Sequence, residues 1–317
     1  MKGLTDIPGI RVGHVSDFGA LTGCSAVLCE QGAVAGVDIR GSATGTEEIA
    51  TLDPGHVTDR IHGVLLAGGS AFGLEAASGV RRYLERRGVG YATGAAKVPI
   101  VPAAILYDLG IGRADVRPTV AMGEAASSAA TAEAVQEGCV GAGTGATVGK
   151  LFGMKQAMKS GLGSFTVSLP GGVLVASLVA LNALGDVKDP ATGKIVAGAR
   201  SAPESKEFAD AEAQMKRGAR PGSAVSHTTL AVVATNARLT KVQATKLAQL
   251  AGLGMARTIY PVNTMFDGDI VFGLSLGDKT ADVNTLGVAA AEAVAEAILR
   301  AVRLSRTLGG VPGLASE

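Results

Sequence analysis

Apolar residues in this chain fall into short unbroken runs and longer helical stripes, and the alternation of the two predicts an α/β fold. Gly63 to Ala67 (GVLLA) is an unbroken apolar run and reads as a buried strand. Gly68 to Gly73 follows as a turn, and Leu74 to Arg87 has helical spacing, with basic residues in its last turns where the helix dipole favours them. Thr119 to Glu137 is a second, Ala-rich helical candidate. For Val173 to Ala183, β-branched residues and the Gly171-Gly172 start favour a strand. The pattern then lapses. Asp186 to Ser226 runs for about forty residues without a convincing apolar face, and connections of that length tend to be functional or mobile.

The lapse ends abruptly at Ser226 to Asn236 (SHTTLAVVATN), which reads as an interior strand opening on two hydroxyl residues. Beyond it, Thr240 to Arg257 carries Val242, Leu247, Leu250 and Leu253 at helical spacing, with Thr240 placed to cap the helix. Pro261 to Asp269 reads as a turn region. Ile270, Phe272, Leu274 and Leu276 alternate as in a half-buried strand, and Val283 to Leu304 is a long Ala-rich helix. No internal repeat or low-complexity linker divides the chain, so residues 1–317 are expected to form a single domain.

Composition sharpens this picture. Hydrophobic residues make up 47% of the chain but aromatics only 3%, with no tryptophan and 45 glycines. The core must therefore be built by close approach of small side chains. A net charge of +1 without a basic block argues against a nucleic-acid partner. Cys24, Cys29 and Cys139 are odd in number and lack metal-ligand spacing, which fits a reducing, cytoplasmic setting. Residues 1–17 show no apolar core of a signal peptide. The most apolar segment, Val173 to Leu184, is too short to span a bilayer and contains Ser177 and Asn182, so no membrane association is expected.

Several familiar chemistries fail on spacing. Gly141 to Lys150 (GAGTGATVGK) approaches a phosphate loop, but Thr144 stands where the first glycine belongs and Leu151 where a metal-holding hydroxyl belongs. What is left is a Gly-rich turn that places Lys150, either solvated or buried beside a site. His14, His56, His62 and His227 are scattered, and Asp267-Gly268-Asp269 is too poor in oxygen donors for a calcium loop, so no metal or cofactor is expected. The plain reading of that acidic pair is a turn with exposed acids. Gly69 to Gly73 lacks the order of a serine nucleophile elbow.

Thr228 and Thr229 carry two readings. Threonine is common in strands, so both hydroxyls can simply begin one. Alternatively, Thr228 is a nucleophile whose base is its own α-amine, with an ordinary pKa of about 7.7–8.0, freed by cutting the bond after His227.

Six stretches bear on the choice: Asp6-Ile-Pro-Gly-Ile-Arg-Val-Gly-His14, Ala67-Gly-Gly-Ser-Ala-Phe-Gly-Leu74, Val101-Pro-Ala-Ala-Ile-Leu-Tyr-Asp-Leu109, Gly143-Thr-Gly-Ala-Thr-Val-Gly-Lys150, His227-Thr-Thr-Leu230 and Asp267-Gly-Asp269. Through them the chain resembles, over nearly its whole length, the self-cleaving amidohydrolases. That family includes L-aminopeptidase/D-amidase-esterases, β-aminopeptidases and endo-type 6-aminohexanoate-oligomer hydrolases. The resemblance implies a four-layer αββα sandwich like that of N-terminal nucleophile hydrolases. It also implies cleavage between His227 and Thr228 into an α chain of residues 1–227 and a β chain of residues 228–317.

The roles it implies are Thr228 as nucleophile, Asn182 as oxyanion donor, Tyr107 near the substrate carbonyl, Lys150 near the nucleophile, and Asp267 with Asp269 as the acidic pair that handles the new ammonium and proton transfer. The acidic pair and the threonine point to the oligomer-hydrolase branch, although His227 stands where that branch has asparagine. The implied substrate is a small linear amide or peptide, and the implied assembly a homo-oligomer, a tetramer of αβ units. An aminopeptidase releasing N-terminal L-, D- or β-amino acids is the alternative. An acetyltransferase of related fold and an unprocessed small-molecule binder are more distant rivals.

Overall fold

A computed structural model describes residues 1–221 and 227–316. Nine strands form its frame: β1 (Arg11–Asp17), β2 (Thr22–Ile39), β3 (Gly45–Glu47), β4 (Ile61–Ala67), β5 (Ala103–Ile105), β6 (Leu162–Leu169), β7 (Val173–Asn182), β8 (Thr228–Ala237) and β9 (Ile270–Lys279). Their lateral order is β6-β7-β8-β9-β2-β4-β5-β3, with β1 paired to β2. The long strand β2 is the hinge of this sheet. Its first part pairs with β1 and β4, its second with β9, and the register against β4 slips between Leu28 and Ala33.

The sheet thereby folds into two halves with a shared core. Val27, Val64 and Leu66 from one half pack with Leu178, Leu230 and Phe272 from the other. Helices α1 (Ala76–Arg86) and α2 (Val120–Ser128) cover the outer face of the first half, burying Leu28 and Leu65 against Val80 and Leu84. A short helix, α3 (Ala211–Lys216), lies in the connection before β8. Helices α4 (Lys241–Thr258) and α5 (Val283–Arg303) cover the second half, where Val179, Val233 and Val271 meet Leu247, Leu286 and Val294. The result is the αββα layering expected.

Small residues set its tightness: a Cβ on Gly254 of α4 would lie 2.3 Å from the Ala291 carbonyl oxygen of α5, so the two helices close to backbone contact only because glycine is there. Thr240 caps α4 as its position predicts, in a capping box with Gln243. Among the described residues no helix is long and apolar enough to cross a membrane.

Three elements differ from the sequence expectation. β9 is buried on both faces from Ile270 to Leu274 rather than half-buried, because it lies centrally between the inter-sheet core and the α4/α5 layer. The helix expected over Thr119 to Glu137 stops at Ser128. There the hydroxyls of Ser127 and Ser128 turn back onto the carbonyls of Gly123 and Glu124, and the chain leaves to bridge Thr131 with Val12.

The patternless connection from Asp186 is folded. Asp186–Lys188 pairs with Ile195–Ala197 and with Ile259–Tyr260, and the Asp186 carboxylate accepts the backbone N–H groups of Ala199 and Ala211, each at 2.7 Å. Its last five residues, Gly222 to Ser226, lie outside the described residues, as does Glu317, the last residue of the expected β chain.

Candidate active site

Thr228 is the first residue of β8 and stands between the end of β7 and the segment that leads into β9. On one side, antiparallel pairing sets it opposite Asn182, the last residue of β7. On the other, His227 bridges Asp267 as the parallel β8/β9 ladder runs outward past Ile270. Side chains alternate along a strand, so Thr228 shares the face of Leu230, and Asn182 that of Leu178 and Ala180, which is the inter-sheet face. The site therefore sits at one end of the layer between the two sheet halves. The opposite half contributes Tyr107 and Asp108, just beyond β5, while the turn from Thr147 to Lys150 is held just past β7, the N–H groups of Gly149 and Lys150 reaching the carbonyls of Gly185 and Leu184.

Lys150 and Asn182 are locked together. The lysine Nζ donates to the Asn182 carbonyl oxygen at 2.8 Å and to its side-chain Oδ1 at 2.7 Å. Oδ1 also accepts the Thr147 backbone N–H at 3.1 Å, while Nδ2 donates to the Tyr107 carbonyl oxygen at 2.9 Å. Two donors on one side and an acceptor on the other fix the amide orientation. Burial pulls the Lys150 pKa down to about 7, against the upward pull of Asp267, Asp108 and Asp269. A neutral amine keeps two N–H groups, enough for both bonds to Asn182, and gains a lone pair.

The acids are not the exposed turn that the plain reading gives. Asp267 and Asp269 are each only 1% exposed, enclosed because the segment is hydrogen-bonded on its outer edge as well. The N–H groups of Arg40 and Gly41 reach the Asp269 carbonyl and that of Ala43 the Asp267 carbonyl. The Asp269 carboxylate accepts the N–H groups of Thr229 (2.6 Å) and Asn263 (3.0 Å). Asp267 accepts from the backbone (3.0 Å) and hydroxyl (2.5 Å) of Thr264. Burial first, then the charge of Asp267, pushes Asp269 up to about 7. Burial also raises Asp267, outweighing its hydrogen bonds and the pull of Lys150. The His227 imidazole is driven down to about 2 by burial and then by Lys150, so it is neutral.

Thr228 itself is fully buried, and its Oγ1 has no hydrogen-bond partner among the described residues. A buried hydroxyl normally finds one. Beside the site, Tyr107, Asp108, Ile111, Gly145, Thr147, Lys150 and Met154 enclose a cavity of about 90 Å³. The structure thus brings Thr228, His227, Asn182, Lys150, Asp267 and Asp269 together. Tyr107 joins them through its backbone carbonyl on Asn182, and the residue also lines the cavity.

Four further residues shape the site without having been assigned a role from sequence. Asp108 accepts the Gly69 N–H and the Thr22 hydroxyl, both at 2.7 Å. Thr147 orients Asn182. Gly268 separates the acids. Asp108, Thr147 and Gly268 all lie inside the matched motifs, which was the available signal. Lys159 gave none: it is buried, and its Nζ bonds the carbonyls of Gly143 (3.2 Å), Ala146 (2.7 Å) and Ser160 (2.6 Å), holding the Gly-rich turn that carries Thr147 and Lys150. Among the described residues, no group of three or more His, Cys, Asp or Glu side chains gathers where it could hold a metal ion.

Comparison with known proteins bears on this arrangement. Residues 2–315 match the model of peptidase family S58. An uncharacterized aminopeptidase of Mycobacterium tuberculosis is 37% identical, the match covering 98% of this chain and 96% of the relative. A 6-aminohexanoate-oligomer endohydrolase of Kocuria sp. is 31% identical over 94% of this chain and 85% of the relative. Among solved structures, the L-aminopeptidase D-Ala-esterase/amidase of Ochrobactrum anthropi, described as a variant of the Ntn hydrolase fold, superposes with a TM-score of 0.73 at 21% identity, covering 98% of this chain and 88% of that one. A Burkholderia sp. β-aminopeptidase gives 0.68 at 22% identity, covering 99% and 91%. At such identities these two likenesses speak for the fold alone.

Proposed function

The chain belongs to peptidase family S58, and from that premise we propose that it hydrolyses linear amide bonds with Thr228 as nucleophile, after cutting its own His227–Thr228 bond. The observation that carries this reading is the Thr228 hydroxyl, buried and without a partner among the described residues at the end of a central strand, between the Lys150–Asn182 pair and the two acids. A structural threonine at a strand start gains nothing from that setting.

The electrostatics suit the cut. Two buried acids and one buried lysine cannot all ionise cheaply, so the cluster keeps a shared proton near neutrality. Neutral Lys150 supplies a lone pair for the Thr228 proton. Cleavage then adds a second cation, the Thr228 ammonium, which lets both acids ionise. In turnover the free α-amine of Thr228 takes the proton from its own hydroxyl, Oγ attacks the substrate carbonyl, and the second N–H of the Asn182 amide is the donor for the oxyanion. Collapse expels the amine product, and water releases the acyl group.

Endo-action on amides such as 6-aminohexanoate oligomers is the leading reading. An enzyme that recognises a substrate's free ammonium needs an acid to receive it. Among the described residues the acid lining the cavity is Asp108, each of whose oxygens already holds a protein donor, and Lys150 faces the same space. Aminopeptidase action is the second reading, favoured by the relatives that carry that name. Matched linear amides with free and acetylated amino ends separate them. Endo-action predicts comparable kcat/KM on both, whereas loss of the acetylated substrate by tenfold or more would establish the aminopeptidase.

A further inference from the structure

Gly268 occupies a position whose two properties both concern the bond to be cut. Its backbone N–H lies 2.6 Å from the carbonyl oxygen of His227, which is the scissile carbonyl. The same residue has no side chain where one would intrude: a Cβ there would stand 2.9 Å from Thr228 Oγ1 and 2.7 Å from the Ala43 carbonyl oxygen. An ordinary ladder bond places no such demand on its donor residue. Here the donor to the carbonyl and the seat of the nucleophile are one residue.

We propose that the Gly268 backbone N–H is the oxyanion donor for self-cleavage and that it serves the cut rather than substrate turnover. The proposal rests on the reading of Thr228 as a self-processing nucleophile. In the first step the Thr228 hydroxyl proton passes to a base and Oγ bonds to the His227 carbonyl carbon. The carbonyl electron pair moves onto oxygen, and the N–H already aimed at that oxygen stabilises the charge without rearrangement. The C–N bond then breaks, its nitrogen takes a proton to become the Thr228 amine, and an ester joins His227 to Thr228 Oγ. Water adds to the ester and leaves a His227 carboxylate and a free threonine hydroxyl.

The flanking strands divide the labour. His227 is held at both ends from the β9 side, its N–H on the Phe266 carbonyl at 2.9 Å and its carbonyl on Gly268. The Asn182 amide comes from the β7 side and is turned toward Tyr107. A substrate carbonyl is a new group, not held in the ladder, and meets Asn182. The β9 clamp must release the His227 carboxylate before substrate can enter.

The test is a full-length chain with glycolic acid in place of Gly268, which exchanges this one N–H for an ester oxygen and keeps every side chain. Glycolic acid at Gly273, in β9 and away from the site, is the control for a missing backbone N–H. The time course of fragment appearance is followed by mass spectrometry, and turnover is then measured per cleaved molecule. The expected result is self-cleavage slowed by about 10²–10³-fold at position 268, wild-type cleavage at position 273, and a much smaller loss in turnover per cleaved molecule at position 268. Wild-type cleavage in the 268 variant overturns the proposal, as does an equal loss in cleavage and turnover. If the wild-type chain itself stays whole, the underlying reading of Thr228 fails instead.

Discussion

Lys150 grips Asn182 by both of its oxygens, at 2.8 Å to the carbonyl and 2.7 Å to the side chain, and so decides which way the amide points. With Oδ1 turned to the lysine, Nδ2 is the end left for an oxyanion. Asn182→Ala is expected to lower kcat by about 10²–10³-fold once cleavage has gone to completion, the usual loss for one oxyanion donor. Steady-state kinetics normalised to cleaved enzyme check this, and an unchanged kcat would remove Asn182 from the reaction.

Self-cleavage should rise with pH and then level off. With the Lys150 pKa at about 7, its neutral fraction grows about tenfold per unit below that value and saturates above it. Cleavage of freshly refolded chain, sampled from pH 5 to 9, should show a single rise centred near 7. A flat profile would take the lysine out of the proton path.

The acidic pair has a stability signature. Asp269 has its pKa raised from 3.8 to about 7 in the folded chain. Between those values the native state holds a proton that the unfolded state has lost, so stability falls as pH rises through that window, by at most about 1.4 kcal/mol per unit. Lys150 acts in the opposite sense between about 7 and 10.5, where the unfolded state holds the extra proton and stability rises with pH. In an uncleaved Thr228→Ala background, adding Asp269→Asn should flatten the acid-side slope. Urea unfolding across pH 4–9 measures both limbs.

Asp186 anchors the segment that leads to the cut, through two backbone N–H groups at 2.7 Å. An amide in its place turns an NH₂ toward one of those donors. Asp186→Asn in the same uncleaved background is expected to cost about 1–3 kcal/mol, the cost of one buried donor left unpaired. Its effect should be read by urea midpoint, and a shift no larger than experimental error would show that the anchor is dispensable.

Much of this molecule was legible in the chain, for identifiable reasons. The unbroken apolar run at Gly63–Ala67 and the largely apolar stretch Val173–Ala183 are buried almost throughout, so a strand was the element that suited them. Thr240 announced α4 because a capping box is local chemistry. Elements decided by distant partners were less legible. β9 looked half-buried because Gly273, small enough to let the Ala244 carbonyl of α4 come within 2.5 Å of a Cβ position, interrupts its apolar face without exposing it. Asp186 looked like the start of a loose loop, since its two partners lie 13 and 25 residues away. In the site, Asp267 and Asp269 drew notice and Gly268 between them did not, because its contribution is a backbone N–H and an empty space.

The central claim is tested most directly by intact-mass analysis of the purified chain beside its Thr228→Ala variant. The account predicts two wild-type fragments, ending at His227 and beginning at Thr228, and one uncut chain in the variant. A wild-type chain that stays whole under native conditions, or a Thr228→Ala chain that is still cut there, would contradict it.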